Sequence, residues 1–234
     1  MKSFATNYEF LVFIPARSKS KRLKNKNLKM VMGNSLIANA INFSKKIKGK
    51  KYIYLSTDSK IYANIGLQNG AKVPFLRSAK NSTDRSSVNN VINEFLLKTK
   101  KTLNFKYLLL ILPTQPFRKI STFKKIYKAI KKKNIDTVIT VKNLHRTEKL
   151  IFKLNKMNLV NKKLRVENSQ YQKNYYTPCG CFYLTSIANF KKTKNLFNGK
   201  IFTVKTDFPE NIDIDRKIDL KVANLLKNKI YSSA

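Results

Sequence analysis

The chain has 234 residues, 42% of them hydrophobic, and carries 49 lysines and arginines against 12 acidic residues, a formal net charge of +37. This length and hydrophobic content predict one large domain, or one domain with a smaller excursion, around a real core. No apolar run approaches the roughly 20 residues that a membrane span needs.

The decapeptide MKSFATNYEF, residues 1–10, lacks the apolar stretch of an export signal. A charge this large points first to a polyanionic partner. The lysines, however, lie along nearly every segment, not on one stripe, and no zinc-finger or RNP-type spacing is present. Asparagine is abundant and glycine scarce, so the charge reads as residue usage, and nucleic acid is not the expected partner. Cys179 and Cys181 stand one residue apart, which gives neither a disulfide framework nor a zinc site. No membrane association is expected, and a reducing cytoplasm is the expected location.

The apolar run Phe10 to Ile14 predicts a buried strand that Pro15 ends. A polar loop follows with Arg17, Lys19, Lys21, Arg22, Lys24 and Lys26, and then an apolar-periodic segment from Leu36 to Phe43 that predicts a helix. Strand, cationic loop and helix in this order place backbone N–H groups and basic side chains around phosphates. The loop also leaves the carboxyl end of its strand, where ligands bind in open α/β sheets. A solvated basic surface loop is the alternative.

Tyr52 to Leu55 predict a second strand, and Asp58 and Ser59 can cap a helix over residues 60–68 that Asn69-Gly70 stops. This rhythm indicates a parallel sheet. Residues 71–87 form a connection, followed by a helix from about Ser86 to Lys98, with Asp84 expected as an N-cap. Leu108 to Leu112 predict a central strand buried on both faces, ended by Pro113 and Pro116. A helix over about 122–132 and a strand over 136–144 follow.

From His145 to Tyr176 the rhythm fails, which indicates an inserted excursion. The chain thus divides into 1–144, 145–176 and 177–234. His145, the only histidine, has no Ser, Cys or metal-binding companion and is expected to be structural or exposed. Residues 175–186 predict a further strand. In ENIDID, Asp213 and Asp215 alternate with isoleucines, so an extended backbone projects both carboxylates to one face. Paired hard oxygen ligands suit Mg²⁺. Alternatively, Asp215 caps a helix beginning near Arg216.

Several of these stretches resemble one family. PAR-x-x-SKR-L-x-x-KN, residues 15–27, is similar to the PARGGSKR-I-P-x-KN-I signature of the acylneuraminate cytidylyltransferases (CMP-sialic acid synthetases). Ser18, Lys19 and Lys24 stand where glycine, glycine and proline are usual. The strand end STD (56–58), the VPFLR segment with Arg77 and Asp84, PTQPFR (113–118), YYTPCGCFY (175–183) and DIDRKIDLKVA (213–223) resemble further family motifs in family order. Leu112 replaces a glutamine near the sugar, Gln115 a serine, Cys179 an asparagine and Cys181 an alanine. Arginines that grip the sugar carboxylate in some members have Ser169-Gln170 and Thr177 as their nearest counterparts. The spacing around Gly180 and Tyr183 is closer to the branch handling pseudaminic-type sugars.

The resemblance implies an α/β fold, a Rossmann-like three-layer sandwich of the nucleotide-diphospho-sugar transferase type. Its sheet would be mostly parallel, with a small inserted dimerisation and lid excursion. It implies a homodimeric cytidylyltransferase that joins a nine-carbon α-keto acid sugar to CTP, giving a CMP-sugar for surface glycans and pyrophosphate. Arg17, Lys21 and Lys26 would neutralise the triphosphate. Asn27, Arg77 and Ser87 would hold the nucleoside, and Gln115, Arg118, Gln170 and Tyr183 the acidic sugar. Asp213 and Asp215 would hold Mg²⁺ (or Mn²⁺), with Asp219 the less certain third carboxylate. Catalysis would rest on Arg17, Lys21, Asp213 and Asp215. The remaining alternatives are another sugar nucleotidyltransferase, such as the eight-carbon KDO branch, and a non-enzymatic nucleic-acid binder.

Overall fold

Strand β1, Thr6–Pro15, runs through the centre of the molecule. Phe10, Val12 and Ile14 face one side of the sheet, Leu11 and Phe13 face the other, and all five are fully buried. A strand apolar on both faces must be covered on both, as in parallel sheets. The computed structural model, which describes residues 5–132, 134–144 and 175–231, shows this arrangement.

Beyond β1 a short hairpin, β2 (Met30–Val31) and β3 (Asn34–Ser35), leads into α1 (Leu36–Lys45), which Ser35 caps by accepting from the Ala38 N–H. Then come β4 (Lys51–Ser56), α2 (Lys60–Gln68), α3 (Val88–Thr99), β5 (Leu103–Leu110), α4 (Ile120–Ile130) and β6 (Thr137–Leu144). After the undescribed stretch follow β7 (Tyr175–Ser186), α5 (Ile187–Thr193), β8 (Ile201–Lys205) and α6 (Lys217–Tyr231). The six-stranded sheet has the order β4-β1-β5-β7-β6-β8. Only β7 runs against its neighbours, so the sheet is mostly parallel, as expected.

Two layers of helices complete the sandwich. Ile37, Ala40 and Ile41 of α1, Tyr62 of α2 and Phe123, Ile126 and Ile130 of α4 pack on the face carrying Phe10, Val12 and Ile14. Val91, Ile92 and Phe95 of α3, with Ile187 and Phe190 of α5, cover the other face. Each such side chain contributes roughly 1.5–3 kcal/mol by burial. A smaller cluster of Leu23, Val31, Phe117, Ile214 and Ala223 joins the loop after β1 to the segment before α6. This cluster brings two distant parts of the sequence to one place.

Residues 145–174, and with them most of the expected excursion, lie outside the described residues. Tyr175 and Tyr176, at its expected end, already belong to β7, where Tyr175 pairs with Leu144 at the end of β6. The short edge strand β8 is absent from the sequence reading. IFTVK carries little signal of its own, and its pairing with β6 makes it a strand.

Candidate active site

The loop after β1 is fixed at both ends and in the middle. Ala16 N–H donates to the Ser56 carbonyl at 2.8 Å. The Ser18 N–H and hydroxyl donate to the two carboxylate oxygens of Asp58 at 2.7 and 2.9 Å. The Asn27 amide donates to the Arg17 carbonyl at 3.1 Å and ties the end of the loop to its start. Asp58, offered by the sequence as a cap for α2, is therefore used by the loop, and Ser59 alone caps that helix.

A cleft of about 560 Å³ opens beside this loop. Arg17, Ser20, Lys21, Arg22, Lys26 and Asn27 form one wall, and Arg77, Asp84 and Ser86 the opposite one. The floor is the end of β1 and of the segment after β5, Pro15 and Leu112 to Thr114, and Asp213 and Asp215 close the far end. In sheet order β4 and β5 flank β1, so the chain switches direction beside β1, the place where such sheets bind ligands.

Two acids of the cleft, Asp84 and Asp215, are each paired with two cations. Lys26 Nζ lies 2.6 Å from Asp215 Oδ1, and Arg22 Nη2 lies 3.0 Å from Asp215 Oδ2. Arg17 bonds Asp84, whose other oxygen lies 2.7 Å from Lys21 Nζ. Hydrogen bonds from Lys21 and Arg17 hold the Asp84 carboxyl below the usual aspartate range. Asp84 is thus no helix cap. Ser87 caps α3 by accepting from the Asn90 N–H, and for that reason the helix starts at Val88.

Asp213 faces the open cleft and meets water there, yet protein crowds around its carboxyl. This desolvation, with the charge of Asp215, raises its pKa, while a hydrogen bond from Thr114 opposes the shift. Arg77 is no surface cation. It is buried, with Nε donating to Ser56 Oγ at 3.1 Å and Nη2 to the Ser56 carbonyl at 2.7 Å, and burial lowers its pKa.

Two carboxylates at the end of a cationic cleft fit a hard divalent cation, which takes one or two carboxylates and completes its shell with phosphate oxygens and water. The fit rests on Asp213, whose partly desolvated carboxylate lies beside a second acid. Asp219 does not line the cleft. Its Oδ2 accepts from the N–H groups of Asp215 and Arg216 at 3.0 and 2.7 Å and shapes the turn into α6. This also replaces the alternative in which Asp215 caps that helix. Among the described residues no group of three or more His, Cys, Asp or Glu side chains could hold a metal.

Of the residues expected from the sequence, Arg17, Lys21, Lys26, Asn27, Arg77, Asp213 and Asp215 all meet in the cleft. Ser87, Gln115, Arg118 and Tyr183 do not line it. Gln115 is fully buried and donates to the Cys179 carbonyl at 2.7 Å. Arg118 is buried too, and its guanidinium donates to the carbonyls of Cys181, Gln115 and Leu112. Burial lowers its pKa to about 10.

The reason lies in β7, which bulges against β6 between Pro178 and Tyr183, with Gly180 at φ 85°. The bulge leaves carbonyls without ladder partners, and the PTQPFR segment supplies donors for them. Tyr183 belongs to the second core face, with its ring edge-on to Phe197 at 5.4 Å. Burial pushes its pKa up to about 12. Gln170 lies outside the described residues. The sequence reading missed site roles for Arg22, Asp84 and Thr114, although all three fall inside segments it had already singled out.

This arrangement is matched by known proteins. A family model described as "Cytidylyltransferase" matches residues 11–234. The CMP-N,N'-diacetyllegionaminic acid synthase of Legionella pneumophila is 31% identical over 214 residues, 89% of this chain and 92% of that protein. The N-acylneuraminate cytidylyltransferase of Streptococcus agalactiae serotype V is 25% identical over 215 residues. That match covers 89% of this chain but spans only 51% of the longer relative. Among solved structures, a CMP:2-keto-3-deoxy-manno-octonic acid synthetase in complex with CTP superposes with a TM-score of 0.68 at 14% identity. It covers 94% of this chain and 99% of that one, which shows the shared nucleotide-diphospho-sugar transferase fold. With a family match over nearly its whole length, this chain belongs to the cytidylyltransferase family, a family of nucleotidyltransferases.

Proposed function

We propose that this enzyme transfers the cytidylyl group of CTP to the anomeric hydroxyl of an acidic nine-carbon α-keto acid sugar of the sialic, legionaminic or pseudaminic type. The hydroxyl oxygen bonds the α-phosphorus, the bond from that phosphorus to the α–β bridging oxygen breaks, pyrophosphate leaves, and the hydroxyl proton passes to solvent. The observation that carries the reading is the cleft itself. Four cations from one loop share it with two carboxylates brought from about 190 residues further along the chain.

The protein's part is positioning and charge stabilisation. Arg17, Lys21 and Lys26 hold the phosphates, and Asn27 and Arg77 set the nucleoside end of the cleft. Asp213 and Asp215 would hold Mg²⁺, which when bound adds positive charge at the α-phosphate and makes the attacking hydroxyl more acidic. The CMP-sugar serves surface glycan synthesis, and the reaction belongs in the cytoplasm, where CTP is made. A homodimer would cover exposed apolar side chains on the last strands of the sheet, such as Tyr176 of β7 and Ile201 and Phe202 of β8. Sedimentation at the monomer mass would remove that part of the reading.

The direct test is pyrophosphate release from CTP with Mg²⁺, over sialic, legionaminic and pseudaminic acids and KDO. Turnover with a nine-carbon acid, and none with ATP, GTP or UTP, is expected. Turnover with KDO alone would move the enzyme to the eight-carbon branch. Arg17→Ala should weaken CTP binding far more than sugar binding.

A further inference from the structure

The phosphate assignment leaves one of the three carboxylates that line the cleft without a task. Asp84 stands on the connection between α2 and α3, and the base of that connection is pinned. Glu94 of α3 accepts from the N–H and hydroxyl of Ser78 and from the Asn81 amide, and the Ser82 hydroxyl donates to the Ser78 carbonyl. From this base Asp84 reaches across the cleft mouth to the loop after β1. One oxygen accepts from Arg17 and the other lies 2.7 Å from Lys21 Nζ. A single anion therefore bridges, one oxygen to each, the two cations assigned to the triphosphate. This is the way a phosphate group takes two cationic donors.

We propose that Asp84 is an internal competitor for the triphosphate. It occupies the Arg17–Lys21 pair in the free enzyme, is displaced when the nucleotide binds, and retakes the pair as pyrophosphate leaves. The inference rests on the assignment of Arg17 and Lys21 to the phosphates.

Exposure decides that the contact is exchangeable and not a lock. The side chains of Arg17, Lys21 and Asp84 are 36%, 83% and 39% exposed. Such pairs are weak and readily broken, and pyrophosphate brings several charges against one. No bond to Asp84 is needed to hold the connection in place, because Glu94 and the Ser87 cap do that. An exposed pair at the upper end of the usual strength is formed about 80% of the time, which leaves about one fifth of the molecules competent and weakens apparent phosphate affinity about fivefold. Breaking the contact also removes the bridge between the two rims of the cleft, which lets the nucleotide in and the pyrophosphate out.

The test is calorimetric titration of the full-length protein with inorganic pyrophosphate, for wild type, Asp84→Asn and Arg17→Ala, with cytidine as a phosphate-free control. Asp84→Asn should bind pyrophosphate about fivefold tighter with cytidine binding unchanged. In steady state it should lower KM for CTP and the inhibition constant of pyrophosphate together, without raising kcat. A merely structural Asp84 would loosen the site and weaken both. Equal or weaker pyrophosphate binding by Asp84→Asn, while Arg17→Ala loses it, overturns this inference alone. No pyrophosphate binding by the wild-type protein, or undiminished binding by Arg17→Ala, overturns the phosphate assignment and the inference with it.

Discussion

Asp213, which we propose as a metal ligand, is held at a cost to the fold. Its pKa is raised above the ordinary aspartate value of 3.8 by crowding and by Asp215. A carboxyl that is harder to ionise in the folded state penalises folding once it is ionised. The penalty is absent below the unfolded pKa and grows as pH rises through the folded one. Asp213→Asn should therefore raise Tm at neutral pH, and the gain should shrink as pH falls towards 3.8, while turnover drops about 100-fold or more. Thermal melts across pH, set beside the pyrophosphate assay, check both halves; a Tm gain independent of pH would remove the account.

Arg118 is the opposite case. Its carbonyl partners at Cys181 and Gln115 are buried and that at Leu112 is partly buried, so Arg118→Ala strands them. It should destabilise the protein by roughly 3 kcal/mol or more in urea, with the folded fraction keeping its affinity for CTP. A variant of unchanged stability that loses only sugar affinity would return Arg118 to the substrate-binding role that the sequence suggested.

At the scale of elements, the residue types that mark a helix start are also those that hold a ligand. Ser87 sits on a segment whose neighbours Asp84 and Ser86 line the cleft, yet its hydroxyl is used by the Asn90 N–H at 3.2 Å. Ser87→Ala should cost about 1 kcal/mol of stability and leave KM for CTP unchanged, with Ser87→Asn restoring most of the loss. A rise in KM with no change in stability would make it a nucleoside contact instead. The apolar run Phe10 to Ile14, the helix over 60–68 and the strand over 175–186 were legible because local pattern and tertiary burial agree there. The bulge in β7 was not. Nothing in CGCFY announces that Gly180 adopts a positive φ and that Gln115 and Arg118 turn inward to its carbonyls.

For the molecule as a whole, the net charge of +37 means mutual repulsion throughout the folded state. Raising salt from about 10 mM to about 150 mM shortens the screening length from about 30 Å to about 8 Å. Tm should rise over that range, while KM for CTP also rises because the cleft's attraction for phosphate is screened. Scanning fluorimetry and kinetics in parallel check the pair, and a Tm that falls with salt would show that the paired charges outweigh the repulsion.

By itself the sequence determined the strand–loop–helix order, the parallel run of the first strands, the cationic loop and the alternating aspartates. These follow from periodicity and spacing within short windows. Only the tertiary structure decided which polar groups face the cleft and which are consumed by the fold. Asp58, Asp219, Gln115 and Arg118 satisfy backbone or loop groups, whereas Asp84 meets Arg17 and Lys21 across the cleft mouth. Such partnerships form between residues distant in sequence, and no local pattern records which donor a buried acceptor will find.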